Sequence, residues 1–560
     1  MLKKNLNVQI AKNYFDLGEF ETSLEYCKEI LDEFKENELY HKDPKELMAK
    51  ISSKQKDFDY AIMHLKSALE IVDKYFKDIK KSRNKSNYLY EIGVCFLNKS
   101  EQDSALFYFN KSLESLKLNN MENTFISDLL PAKIATLKKK VFWERYLKSN
   151  DLGFLDSCAT ILENLISYVN NLHNSYINHE SKLYLQENSI KIIEGAIEVC
   201  HELYKQTGEV KYLEEAFAYA ENLKAKTLLG EMRENDALKL TGLPDSLRDQ
   251  ERDYRIEIAF YERQINEEKQ KTAPDEEKVK MWESELFNLT NGYEDLITQI
   301  ENDFPKFKRL RNYQNEIDLE QIRKQVLDEE ALLLEYFVGE KQAYVFALSK
   351  NDLKMIPIDS ASAIALQGEQ MLSYINTPPS QNGNVSTTFQ NQLDFSKDVF
   401  HKAINAFDQD FSKVIVIPDN VLSYLPFEVF LDEDAKMNNG LVAMEDYVLD
   451  DYQFSYNYSV VLLLNKMEET QNKSGTFVGY SPSFSDKMSE ATRSCTSDEL
   501  YSLRCSEKEI TSISEILGGT TYTGTTAGKT AFVNEAANYK IIHLATHACI
   551  DEANPRFNKI

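Results

Sequence analysis

One local pattern recurs three times in the first 120 residues and restricts the fold more than any other feature. In each copy a turn residue precedes a small residue by three positions: Phe20 before Ser23, Phe58 before Ala61, Gln102 before Ala105. A larger side chain follows four positions on, at Cys27, Leu65 and Phe109, and then Ile30, Ala68 and Ser112 three further on. The small residues lie 38 and 44 residues apart, and Gly93 and Phe96 mark the helix before the third copy. Small residues at fixed helical positions let antiparallel helices approach closely, and each pair needs a neighbour to cover its apolar face. The segment is therefore expected to be an all-α solenoid.

The pattern resembles the tetratricopeptide repeat, whose period is about 34 residues. The copies here are longer, so the resemblance lies in the turn and second helix. It implies a surface that binds a protein partner. Leu162, Leu165, Val169 and Leu172 keep helical spacing beyond the repeats. Gly208 is expected to end one helix and Ala216 and Ala220 to line the contact face of the next, read as one helix over Tyr212–Leu229. Two apolar stripes follow: Leu247, Tyr254, Ile258, Tyr261 and Ile265, then Leu286, Leu289, Tyr293, Leu296 and Ile300. With Pro274 and Asp275 between them and Pro305 after them, they predict a charged antiparallel coiled coil.

Composition then shifts. Residues 331–338 and 343–348 read as a strand hairpin, and 414–417, 460–464, 476–478 and 541–542 as further strands. Helical stretches fall at 362–375, 397–406 and 506–517, and polar loops at 377–392 and 485–500. Strands alternating with helices predict an α/β layer with a mostly parallel sheet. The expected domains are helical repeats over 1–235, a helical hairpin over 236–312 and an α/β domain over 313–560.

The net charge of -26 argues against nucleic acid or an anionic membrane as a direct partner, since Lys138, Lys139 and Lys140 form only a short basic run. Seven cysteines are scattered without a CxxC pair, which predicts neither zinc nor a disulfide framework and fits a cytoplasmic location. No stretch of about 18 apolar residues predicts a membrane span. No cofactor or metal is expected. Gly524 and Gly528 precede Lys529 and Thr530 with three residues between the glycines, where a phosphate-binding loop needs four.

The chemistry is expected at Tyr539–Ala548. Ile541 and Ile542 read as a buried strand that delivers His543 and His547 toward an edge. Residues four apart on a strand lie about 13 Å from each other, too far to chelate one metal ion. Pro418, Asp419, Asn420, Leu422, Leu425, Pro426, Phe427 and Glu428 resemble the PDG.L..LPFE segment of CHAT domains, the caspase-like domains associated with tetratricopeptide repeats. Ile542–His547 resembles their HLATHG segment, and Gly524, Ala527, Lys529 and Phe532 are similar to the segment before it.

The resemblance implies a caspase-like fold and a cysteine endopeptidase acting on protein or peptide, with a His/Cys dyad. His547 matches the catalytic histidine and His543 the earlier, supporting one. Ala548 stands where the family usually has a glycine whose N–H helps hold the oxyanion, which restricts φ there. The family's nucleophile lies in a SAC.TG segment further on, so the chain reads as a fragment that stops before it. Cys549 does not match that motif. Three functions stay open: a peptidase regulated through its repeats, a non-catalytic scaffold with a degenerate caspase-like domain, and, disfavoured by the glycine spacing, a regulatory ATPase.

Overall fold

A computed structural model describes residues 2–117, 130–175, 179–224, 226–240, 242–269, 271, 274–311, 317–376, 385–438, 441–470, 473–483 and 503–548. Short turns join successive helices into packed antiparallel pairs. These are α1 (Leu2–Asp16) with α2 (Phe20–Glu33), α3 (Lys42–Lys54) with α4 (Phe58–Tyr75) and α5 (Asp78–Asn98) with α6 (Gln102–Lys117). Then come α7 (Leu130–Ser149) with α8 (Leu152–Ser175), and α9 (His179–Thr207) with α10 (Lys211–Leu223).

The small residues of the recurring pattern sit where the helices meet. Ser23, Ala61 and Ala105 are fully buried. Ser23 turns its hydroxyl inward and donates to the Ala11 carbonyl at 2.7 Å. A side chain at Gly93 would meet the Phe109 ring at 2.6 Å, so α5 and α6 approach only because that position is bare. Gly208 ends α9 with φ of 71°, a conformation that costs glycine nothing.

The stretch read as one helix over Tyr212–Leu229 is two. Helix α10 stops at Leu223, Lys224 is extended, and α11 (Lys226–Leu240) starts afresh. Next come α12 (Asp245–Lys269) and α13 (Glu276–Asp303), packed on each other, with Asp275 capping α13 by accepting from the Lys278 N–H. Helices α14 (Pro305–Arg311) and α15 (Leu319–Gln325) lead to the sheets.

The strands are β1 (Ala331–Val338), β2 (Gln342–Leu348), β3 (Leu353–Ser360), β4 (Lys413–Ile417), β5 (Met437–Asn438), β6 (Leu441–Val442), β7 (Gln453–Tyr456), β8 (Gly475–Pro482), β9 (Gly519–Gly524) and β10 (Tyr539–Leu544). Helices α16 (Ala361–Asn376), α17 (Val385–Ser396) and α18 (Lys402–Ile404) lie before β4, α19 (Val460–Thr470) before β8, α20 (Ser506–Leu517) before β9, and α21 (Lys529–Glu535) before β10.

The strands form a five-stranded sheet ordered β3-β2-β1-β4-β7, a three-stranded sheet ordered β10-β8-β9, and the small β5-β6 pair. The first sheet is mixed rather than mostly parallel: β1, β2 and β3 meander antiparallel, while β4 and β7 join parallel. The second is wholly parallel.

Two sequence expectations are corrected. Residues 460–464 are the start of α19, not a strand. The Leu462 N–H is bound by the Ser459 hydroxyl and the Val461 N–H by the Glu221 carboxylate, so the first turn has acceptors that strand pairing would not supply. Periodicity alone does not separate a short buried strand from a short buried helix. Residues 385–392 belong to α17 rather than to a loop, because Leu393 and Phe395 anchor that helix in the core. The loop expected at 485–500 lies outside the described residues.

Strand β1 is buried on both faces. Leu333 and Phe337, with Phe346 and Leu348 of β2, form one continuous core with Phe217 and Ala220 of α10 and Ile193 and Ile197 of α9. Leu332, Leu334 and Tyr336 face the other way, into a core with Ile364 of α16 and Phe400. The last helical pair therefore forms one layer of the α/β unit.

Glu335 lies on the repeat-facing side of β1 and is fully buried. Lys224 approaches its Oε1 at 3.7 Å and donates to the Ile417 carbonyl at 3.1 Å. Glu221 adds a second carboxyl. Desolvation pushes Glu335 well above the ordinary carboxylate range, and the neighbouring Glu221 adds to the shift. Glu221 is raised for the same first reason. Both Glu335 oxygens and Glu221 Oε2 lack partners when ionised. One proton shared between the two carboxyls would link Glu221 Oε2 to one Glu335 oxygen and leave a single negative charge facing Lys224.

A raised folded-state pKa removes stability as pH rises from the ordinary carboxylate value toward the raised one. Glu335→Gln, which cannot ionise, is expected to gain stability relative to the parent at pH 8 compared with pH 5. Urea denaturation at both values measures this. A parent-minus-variant difference independent of pH contradicts the shared proton.

Candidate functional site

The Pro418–Glu428 segment follows β4 directly, and its polar residues act as braces. Asp419 accepts from the Val338 N–H at 2.8 Å and from the Asn420 N–H at 3.0 Å, tying the ends of β1 and β4 together. Desolvation raises its pKa. Asn420 has φ of 51°, and it stands where the PDG pattern has glycine. Asparagine tolerates this left-handed conformation better than most residues. The Phe427 N–H donates to the Tyr456 hydroxyl at 2.8 Å, and that hydroxyl donates to Glu428 at 2.5 Å. The segment thereby fastens β4 to β7.

The histidines belong to the three-stranded sheet. Tyr539–Leu544 forms β10 as expected, but the strand is not buried. It pairs with β8 alone among the described residues, and Ile541, Ile542 and Leu544 are exposed. An edge strand has neighbours on one side only, so apolar character did not translate into burial.

His543 sits opposite Gly479 of β8. Its Nε2 lies 2.7 Å from Glu509 Oε1 on α20, and its ring packs against Phe477 at 6.3 Å. A side chain at Gly479 would meet Ile510 at 2.8 Å. The bare position lets α20 lie close to β8, and that closeness brings Glu509 within reach of His543. After Leu544 the ladder continues for one bond, from the Ala545 N–H to the Tyr480 carbonyl at 2.9 Å. His547, half-buried, and Ala548, exposed, then leave the sheet at the C-terminal end of its parallel strands. That end is where open α/β sheets place their ligand crevices.

Four cysteines, Cys27, Cys95, Cys158 and Cys200, are buried in the helical pairs. Burial pushes the thiols of Cys27 and Cys158 up to about 12 and Cys95 up to about 11, and raises Cys200 as well. These thiols are unsuited to act as nucleophiles. Cys505, at the start of α20, is the one exposed cysteine among the described residues, and nothing in its sequence context singled it out. Cys549 lies outside the described residues.

The Gly524–Thr530 loop does lie between a strand and a helix, which the sequence signalled only weakly. Two of its amides are engaged within the turn: the N–H groups of Thr526 and Ala527 bond back to Thr523 and Gly524, and the Thr523 N–H bonds to the Thr526 hydroxyl. A phosphate cradle needs such groups free. No cluster of three metal-ligating side chains occurs among the described residues. No helix among them is long and apolar enough to cross a membrane.

Residues 397–560 match the family model of the CHAT domain. The chain carries a CHAT domain. The match begins ahead of β4 and takes in both the Pro418–Glu428 braces and the His543–His547 strand end, so the two segments belong to one recognised domain. Strands β1–β3 precede the matched stretch. No curated protein matches the chain. Among solved structures, the crystal structure of BtubC (BKLC) from P. vanneervenii is 14% identical over 41% of this chain and 92% of that one, with a TM-score of 0.21. The structure of Naa15/Naa10 bound to HypK-THB is 12% identical over 57% of each chain, with a TM-score of 0.19.

Filling the gap at Gly479 tests how α20 sets His543. Gly479→Ala is expected to cost about 1–3 kcal/mol by overpacking. It should also abolish the Glu509–His543 coupling, which is at most about 1 kcal/mol for a half-exposed pair. A double-mutant cycle in each background measures both, and an unchanged coupling in the Gly479→Ala background contradicts the account.

Proposed function

We propose that this chain belongs to a caspase-like cysteine endopeptidase whose activity is regulated through its helical repeats. The observation that carries the reading is the position of His547. It is half-buried, just past the C-terminal end of β10, in a CHAT domain, beside a strand edge left open among the described residues. In this reading the open edge of β10 receives the strand that brings the nucleophilic cysteine. The His547 imidazole promotes the thiolate and then protonates the leaving amine. The Ala548 N–H takes part in holding the oxyanion. His543 is a positioning residue, held by Glu509.

The helical pairs resemble tetratricopeptide repeats and supply the partner surface. The core they share with β1 and β2 supports coupling, because a partner that displaced α9 or α10 would disturb the sheet itself. Substrate and activator are both protein or peptide in this proposal, and the location is cytoplasmic.

A second reading, a scaffold with a degenerate caspase-like domain, is favoured by Ala548 and by the high pKa of the buried thiols. A thiol-directed peptide probe on the protein separates the two. The peptidase reading expects stoichiometric labelling, and His547→Ala is expected to slow peptide cleavage by about 10²–10⁴-fold. Absence of labelling, or cleavage undiminished in His547→Ala, rejects it.

A further inference from the structure

A cavity of about 100 Å³ opens where the helical pairs, the hairpin and the α/β unit meet. Its wall includes Lys182 of α9, Lys224 and Lys226 at the α10–α11 break, Arg233 of α11 and Arg311 of α14. Two carboxylates, Glu221 and Glu234, face these five cations. In a chain of net charge -26 this concentration of positive charge runs against the background.

Some of the charge is already matched. Arg311 bonds Glu234 at 3.1 Å and Glu301 at 2.5 Å, and Lys224 is occupied by Glu335 and the Ile417 carbonyl. Two lysines are not matched. Among the described residues, Lys226 donates only to the amide oxygens of Asn170 at 2.5 Å and Asn222 at 3.3 Å, which carry no charge. Lys182 has no carboxylate within ion-pair distance among the described residues. The titration of both lysines reflects this environment. Burial and then the Arg233 charge push Lys226 down to about 8. Burial and then Arg311 lower Lys182, with Glu234, Glu231 and Glu301 only partly opposing. Buried lysines such as Lys182 and Lys226, without a carboxylate partner among the described residues, are costly, and an anion relieves both the repulsion and their unmet hydrogen-bond capacity.

The ligand must be small. By the measure in which one water needs about 10–15 Å³, the space takes several waters or one tetrahedral oxyanion. It is well below the roughly 300 Å³ of a pocket for a nucleotide-sized ligand. We propose that this cavity is a binding site for a phosphate group, held by Lys182, Lys226 and Arg233 at the joint between the repeats, the hairpin and the CHAT-bearing unit. The group is either inorganic phosphate or the terminal phosphate of a small phosphorylated metabolite.

Isothermal titration of the full chain with inorganic phosphate, at ionic strength fixed with chloride, tests the site. The expected result is saturable binding of one anion per chain, weakened at least tenfold in Lys226→Gln and in Lys182→Gln. The Lys182 ammonium makes no hydrogen bond among the described residues, so its variant keeps the test valid if Lys226→Gln fails to fold. Glycerol phosphate distinguishes the sources: full competition assigns the site to phosphate monoesters, and none assigns it to the free anion. Heats no different from those of matched chloride, or binding unaltered in Lys182→Gln, overturn the proposal.

Discussion

The architecture depends on a buried charge cluster at one joint. Lys224 reaches from the end of α10 to Glu335 in the middle of β1 and to the carbonyl that ends β4. Glu221, one turn earlier, caps the first turn of α19. Four elements distant in sequence thus meet around three ionisable side chains. Removing charges from water is expensive, and a buried ion pair commonly returns little net stability for that cost. The cluster therefore specifies how α10 must lie on the sheet more than it adds to stability. The apolar contacts beside it, Phe217 against Phe346 among them, supply the favourable free energy.

This joint explains what the segment at residues 418–428 does. Asp419 lies immediately beyond the carbonyl that Lys224 binds, and it ties β4 to β1. Tyr456 then ties the end of the segment to β7. These residues hold the sheet together. The histidine segment is built differently. His543 lies on, and His547 just beyond, a strand that pairs with β8 alone among the described residues and is flanked by α20. One motif of the domain is thus a brace and the other a candidate half-site.

Much of this was legible in the sequence because it rested on local chemistry. Ser23, Ala61, Ala105 and Gly93 mark helix contacts by their size, and Gly208 marks a helix end by its conformation. The parts that failed rested on tertiary partners. The apolar run Val460–Leu464 is helical because Glu221 and Ser459, far and near, cap its first turn. The helix around Lys224 breaks because its side chain is required in the sheet. The exposure of Ile541 and Ile542 depends on how many strands flank β10, which no local pattern encodes. A signal for the joint was present but unread: Glu335 is the one charged residue in an otherwise apolar strand. Such a residue must find a partner, and the fold is arranged to provide one. The phosphate proposal shares this logic, since Lys182 and Lys226 gain their meaning only when α9, α11 and α14 come together.

The central claim is that the last helical pair and the five-stranded sheet are one thermodynamic unit, so that whatever moves the repeats moves the CHAT-bearing sheet. Hydrogen–deuterium exchange of α10 and β1 amides at increasing low concentrations of urea tests it most directly. The account predicts that both segments exchange through one common opening, with the same free energy and the same urea dependence. Exchange of α10 through a separate, lower-energy opening while β1 stays protected would contradict it.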